Sequence, residues 1–189
     1  MDRNEVHVAF EILVEELEIV GNGLNDGGAE AFKTGEYDKA REAIEMATRL
    51  SDFRDKVRTL QHDWSNLFAP RIAHRSTRGN RGRVAARLQQ GLRTPEDGFR
   101  RPILEALVEL GGRAALDDVL GRVEDKMKDT LNEYDHQPLG PKRNEKRWRN
   151  TAQWCRNTLV REGLMESGSP QGIWEISDRG REALRLGQV

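Results

Sequence analysis

Apolar residues recur every three or four positions through the first third of the chain, a pattern typical of amphipathic helices. The first stripe consists of Val6, Phe10, Leu13, Leu17 and Val20. Four glycines between positions 21 and 28 are expected to end this helix. Two further stripes follow, one of Tyr37, Ala40, Ile44 and Ala47 and one of Phe53, Val57, Leu60, Trp64 and Leu67. Residues 5–68 are therefore predicted to form an antiparallel helical bundle or a long helical hairpin.

The apolar stripes of this first segment have two interpretations. Burial within the core of the same chain is the commoner fate of an amphipathic helix. Self-association is the alternative, because a helical segment of about sixty residues is near the lower limit for an independent core. We expect a homodimer that forms through these N-terminal helices.

From residue 94 the pattern changes to helices separated by short polar segments. The run Thr94-Pro95-Glu96-Asp97 predicts a helix start with Thr94 as the N-cap. Ala115 and Leu116 are predicted to lead into a second helix that runs through Val119, Leu120, Val123 and Met127. Residues 132–143, which contain two prolines and a glycine, are expected to form an exposed loop. A long basic helix is predicted from Asn144 to Glu162, and Gly163 is expected to end it.

Two strand-like runs, 164–167 and 173–176, surround the segment Gly-Ser-Pro-Gln-Gly, and a closing helix begins at Asp178. This order of elements is that of a winged helix, which places one helix in the major groove of DNA and a hairpin beside it. The predicted fold class is mainly α with a small β-hairpin. It comprises an N-terminal helical bundle or hairpin and a C-terminal winged helix-turn-helix.

The net charge of −1 conceals an uneven distribution of charge along the 189 residues. Residues 1–69 contain 8 Lys/Arg and 15 Asp/Glu, whereas residues 70–189 contain 23 and 17. We expect three parts: an acidic helical dimerisation region at 1–69, a basic linker at 70–93 and a winged-helix domain at 94–189. The linker has seven arginines and no acid. It is either a solvated tether or an arm that contacts DNA, and the sequence does not decide between them.

The predicted basic helix and the following hairpin supply the candidate DNA-binding residues. Trp148, Ala152, Cys155 and Leu159 share one face of the helix and are expected in the core. The other faces carry Arg, Lys, Asn and Gln, which suit base edges and phosphates. The candidate set is Lys142, Arg143, Lys146, Arg147, Arg149, Asn150, Gln153 and Arg156, with Ser169 and Gln171 in the hairpin loop.

Several short motifs occur in order between residues 93 and 184. They include Arg93-Thr94-Pro95, Arg147-Trp148-Arg149-Asn150, Trp154-Cys155-Arg156 and Gly172-Ile173-Trp174-Glu175-Ile176-Ser177-Asp178-Arg179-Gly180. This set resembles the N-terminal winged-helix domain of Mrr-type restriction proteins. In those proteins the domain resembles a DNA-recognition module that precedes a nuclease domain. No nuclease-like segment is recognised in this sequence, so the resemblance implies DNA binding and leaves cleavage unsupported.

The sequence contains no pattern typical of an active site. Its four histidines are scattered, and the glycine-rich segments lack the Gly-Lys-Ser/Thr ending of a phosphate-binding loop. Glu133, Asp135 and His136 are the best cluster for a cation, although surface loops are ordinarily rich in such residues. We expect no catalytic residue, metal or cofactor. The single cysteine and the lack of a membrane-span pattern favour the cytoplasm.

These observations predict a non-enzymatic, dimeric protein that binds double-stranded DNA. A transcriptional regulator and an accessory of a restriction or phage-defence system are the expected roles. The alternative is an adaptor that binds protein partners in such a system through the same two regions.

Overall fold

The computed structural model describes residues 3–67, 93–140 and 143–189. The predicted basic linker, apart from Arg93, and Lys142 lie outside the described residues. The chain divides into two compact units, residues 1–78 and 79–189. Helices dominate the described part of both, and the strands described are short and antiparallel. The prediction of a mainly α fold with a small β-hairpin is therefore confirmed.

Among its described residues, the first unit contains two long helices, α1 (Arg3–Lys33) and α2 (Tyr37–Leu67). The expected break at the glycines is wrong, because α1 continues through all four of them. A glycine costs a helix about 1 kcal/mol, and packing along the whole of α2 outweighs that cost. Gly28 also permits close approach, since a Cβ there would lie 3.1 Å from the Cβ of Ala43.

The surface between α1 and α2 is polar at two levels. The Nη2 and Nε of Arg54 donate to Glu18 Oε1 over 2.6 and 3.0 Å, and both side chains are fully buried. Gln61 Nε2 donates to Glu11 Oε1 over 2.5 Å. Glu18 contacts Arg54 and Glu11 contacts Gln61, so residue numbers rise along α1 in the direction in which they fall along α2. The hairpin is therefore antiparallel, as predicted. Other buried residues of this seam are Val14, Gly21, Gly28, Ala40 and Val57.

The second unit contains four helices among its described residues. They are α3 (Asp97–Glu109), α4 (Leu116–Met127), α5 (Arg147–Arg161) and α6 (Asp178–Leu186). Four short strands accompany them: β1 (Arg113–Ala115), β2 (Pro138–Gly140), β3 (Arg143–Lys146) and β4 (Ile173–Glu175). Strand β1 pairs antiparallel with β4, with Ala114 opposite Trp174, and β2 pairs antiparallel with β3.

The core of the second unit lies between α3, α4 and α5. Trp148, Ala152, Cys155 and Leu159 are fully buried there, as predicted from their spacing. Gly163 has a φ of 73° immediately after α5, which confirms that it ends this helix. The predicted first strand of the hairpin is reduced to one bridge, between Met165 and Ile176. The N–H of Glu166 extends this pairing by donating to the carbonyl of Glu175 over 2.9 Å.

Three local predictions in this unit are wrong. Thr94 does not cap α3, which begins at Asp97, because the Thr94 hydroxyl donates to Asp135 Oδ2 instead. The expected exposed loop at 132–143 contains β2 and the start of β3. The basic helix begins at Arg147 rather than Asn144, since residues 143–146 are engaged in pairing with β2.

Candidate nucleic-acid interface

Helix α5 is held at both ends by backbone hydrogen bonds. At its start the N–H of Arg147 donates to the carbonyl of Gln137, and that of Trp148 donates to the carbonyl of Asp135. At its end the N–H of Leu164 donates to the carbonyl of Leu159 over 2.8 Å. Because seven residues of α5 are buried, only a narrow strip of the helix faces solvent, and the hydrogen bonds at both ends fix its orientation.

This surface follows Arg149, Gln153 and Asn157, which lie four residues apart and therefore on one stripe. Arg149 Nη2 lies 2.5 Å from Asp117 Oδ1 of α4; the Arg149 side chain is 30% exposed and the Asp117 side chain 83%. Gln153 Nε2 donates to Glu145 Oε1 over 2.5 Å. We call Arg149, Gln153 and Asn157 the α5 stripe.

Two other arginines of the candidate set, Arg147 and Arg156, are half-buried. The guanidinium of Arg147 lies 4.5 Å from the centre of the Tyr134 ring, and Arg156 Nη1 donates to Asn157 Oδ1 over 3.3 Å. Burial lowers the pKa of both groups from the ordinary arginine value. Both still carry a positive charge at neutral pH, because arginine is not deprotonated in proteins.

The remaining candidates have separate environments. Lys146 Nζ lies 2.9 Å from Glu124 Oε1, with both side chains nearly half exposed. Asn150 was predicted on an exposed face, but it is buried, so it is not available at the surface. Ser169 Oγ donates to Glu175 Oε2 over 3.1 Å, and Gln171 is exposed. The backbone of Arg143 lies in β3.

A comparison with protein families shows what part of the second unit is similar to. Residues 97–186 match the family model of the Mrr N-terminal domain. The resemblance drawn from the motifs is therefore confirmed for this segment. No curated protein matches the chain, and no solved structure matches it.

The charge of residues 93–189 differs from the expected basic surface. Residues 93–189 contain 17 Lys/Arg and 17 Asp/Glu, whereas residues 70–92 contain six arginines and no acid. The positive excess of the second half of the chain therefore belongs to the linker. Within residues 93–189, any cationic surface must come from the local arrangement of side chains, because the net charge there is zero.

Sequence reasoning missed the three carboxylates that contact Lys146, Arg149 and Gln153. Asp117 and Glu124 are seven residues apart and share one face of α4, while Glu145 lies in β3. Their spacing predicts only that the first two lie on the same side of a helix. Their contact with Arg149 and Lys146 depends on how α4 packs beside α5, which one sequence does not reveal.

The cluster considered for a cation has a structural role at Asp135. This carboxylate is fully buried and accepts the Thr94 N–H over 2.7 Å, the Thr94 hydroxyl over 2.6 Å and the Asn132 N–H over 3.0 Å. In the described ranges no group of three His, Cys, Asp or Glu side chains is arranged to hold a metal ion. Within those same ranges no helix is long and apolar enough to cross a bilayer.

Proposed function

We propose that this chain is a cytoplasmic protein that binds double-stranded DNA through its Mrr N-terminal domain, with the α5 stripe towards the duplex. The match of residues 97–186 to that domain family carries the proposal. The order α3, β1, α4, α5, hairpin and α6 supports a winged helix, in which α5 would enter the major groove. Ser169 and Gln171 would then lie in the wing, close to phosphates.

The ion pairs on this surface are compatible with DNA binding because they are weak. Exposed pairs contribute about 0–1 kcal/mol, and the carboxylate that faces Arg149 is largely in solvent. A phosphate can form charge-assisted hydrogen bonds with the same guanidinium. Contact with DNA would therefore exchange Asp117 and Glu124 for phosphates at Arg149 and Lys146, at a small cost.

The linker would add the long-range part of the attraction. Its six arginines between residues 70 and 92 would follow phosphates or enter a minor groove beside the domain. The neutral Mrr N-terminal domain would then supply orientation and base contacts. This division of roles fits a transcriptional regulator or an accessory of a restriction system.

We further propose that α1 and α2 join two copies of the chain, so that two domains address two half-sites. Five large apolar side chains support this: Leu13, Val20, Phe53, Leu60 and Leu67 are between 42% and 71% exposed. Isolated exposed apolar residues are common on monomers, but contiguous groups usually mark an interaction surface.

A protein-binding adaptor is the second candidate function. Carboxylates contact Lys146, Arg149 and Gln153, and residues 93–189 have no net charge. Both observations favour an adaptor. DNA that produced no salt-sensitive binding signal would support this function over the first.

Replacing Arg149 and Gln153 by alanine together is expected to weaken DNA binding about 10- to 100-fold, because each position loses a polar contact of about 1 kcal/mol or more. Fluorescence anisotropy with a mixed-sequence duplex at several salt concentrations measures this. The matched control is Arg185→Ala, which removes an exposed arginine of α6 that pairs with Glu182. Equal affinity of the double variant and the unchanged protein would contradict the role of the α5 stripe.

A further inference from the structure

Six apolar residues of the hairpin lie on one side of it, five of them exposed and Val6 half-buried. Helix geometry gives about 100° per residue, so Val6, Leu13 and Val20 lie roughly 100° from the middle of the seam on α1. Phe53, Leu60 and Leu67 lie roughly 110° from the middle of the seam on α2. Because the helices are antiparallel, both stripes turn to the same side. We call these six residues the outward face.

The polar contacts between α1 and α2 show which residues of the two helices lie at the same height along the hairpin. Glu18 lies beside Arg54 and Glu11 beside Gln61. The same register places Val20 beside Phe53, Leu13 beside Leu60 and Val6 beside Leu67. The outward face therefore consists of three apolar layers, each seven residues or about 10 Å from the next. This heptad repetition is the pattern by which helices pack on helices.

The hairpin by itself leaves these layers in water while it buries an ion pair. Two helices with a polar seam have little core of their own, so the apolar layers require a partner. A second copy is the partner that supplies three layers with identical spacing. A two-fold axis parallel to the helices would pack α1 of one copy against α2 of the other. These two helices would be antiparallel, and their apolar layers would lie at the same heights.

Charged residues at the edges of the outward face favour a two-fold axis parallel to the helices over one perpendicular to them. Glu16 lies at the outer edge of α1 and Lys56 at the outer edge of α2, and both are exposed. No ion pair joins either of them to another described residue. The register that pairs Glu18 with Arg54 also makes Glu16 level with Lys56. An axis perpendicular to the helices would instead bring the acidic edge of α1, with Glu5 and Glu16, against its own copy.

We propose that two hairpins form a four-helix bundle in which the outward faces make the core and Glu16 of each copy pairs with Lys56 of the other. The inference rests on the proposed homodimer and adds its geometry. The two edge pairs give the interface its direction, while the apolar layers contribute most of its stability.

Charge reversal of the full chain tests this geometry by light scattering and sedimentation. The unchanged protein should have twice the 21.6 kDa mass of the chain at micromolar concentration. Glu16→Lys and Lys56→Glu should each raise the dimer dissociation constant about tenfold, because each change converts two attractions into repulsions. The double variant E16K/K56E should return it to within roughly threefold of the original.

Two further variants separate the possible outcomes. Arg41→Glu reverses an exposed charge on α2 that points away from the outward face, and it should leave the dimer unchanged. L13E/L60E should give a monomer that retains its helical circular dichroism. A dimer that the charge reversals leave unchanged, or that the double variant fails to restore, overturns the geometry and leaves the homodimer standing. A monomeric unchanged protein overturns both, without bearing on DNA binding.

Discussion

Asp135→Ala should lower the unfolding free energy of the second unit by about 4 kcal/mol. The carboxylate is fully buried and accepts three hydrogen bonds, two from Thr94 and one from Asn132. Its removal leaves three donors without an acceptor, and each unsatisfied buried group costs about 1–3 kcal/mol. The segment at residues 93–96 would also lose its attachment to the start of α5, because the carbonyl of Asp135 receives the N–H of Trp148.

Denaturant unfolding followed by tryptophan fluorescence measures this loss. Trp64 is the tryptophan of the first unit, so a Trp64→Phe background leaves Trp148, Trp154 and Trp174 to report on the second. Glu133→Ala, an exposed neighbour, is the control and should change stability by less than about 0.5 kcal/mol. A loss below about 1 kcal/mol for Asp135→Ala would show that the carboxylate does not organise this segment.

Gly180→Ala should destabilise the same unit by about 3 kcal/mol. Gly180 lies in the first turn of α6, and a Cβ there would come 2.1 Å from the carbonyl oxygen of Leu164 and 2.9 Å from Cγ1 of Ile176. The first of these is a backbone atom, so it cannot move aside as a flexible side chain would. Overpacking of this kind costs about 1–3 kcal/mol, and more where backbone must shift.

A second glycine provides the matched comparison for Gly180→Ala. Gly121 lies in α4 with no atom within 4 Å of a Cβ built on it. Gly121→Ala should therefore raise stability by about 0.5–1 kcal/mol, because alanine is the better helix former. Thermal unfolding of both variants gives the comparison. Changes of the same sign would mean that the packing of α6 against Leu164 is not as tight as described.

The buried face of α5 could be predicted from sequence because its apolar residues repeat with the helical period. Trp148, Ala152, Cys155 and Leu159 have that spacing, and all four are in the core. The end of α5 could also be predicted, since a left-handed residue is required there and Gly163 supplies it. Both features depend on local geometry alone.

The hairpin shows why other features could not be predicted. Apolarity favoured burial of Leu13 and Val20, yet Glu18 and Arg54 occupy the seam because each satisfies the other there. Thr94 has the residue type of an N-cap, but Asp135, 41 residues away, binds its hydroxyl. In both cases a partner distant in sequence outweighs a local preference. The carboxylate of Asp117, which contacts Arg149 of the α5 stripe, is another partner that is distant in sequence.

DNA cleavage from a tethered reagent would show whether the α5 stripe lies against the duplex. The native thiol of Cys155 is buried, so an iron chelate can be attached selectively to a cysteine at Asn157→Cys on the stripe. The comparison is Gln188→Cys beyond α6, also exposed. We predict that the reagent at position 157 cuts a bound duplex within a few base pairs and that the reagent at 188 does not. Cleavage from 188 with none from 157 would contradict the proposal.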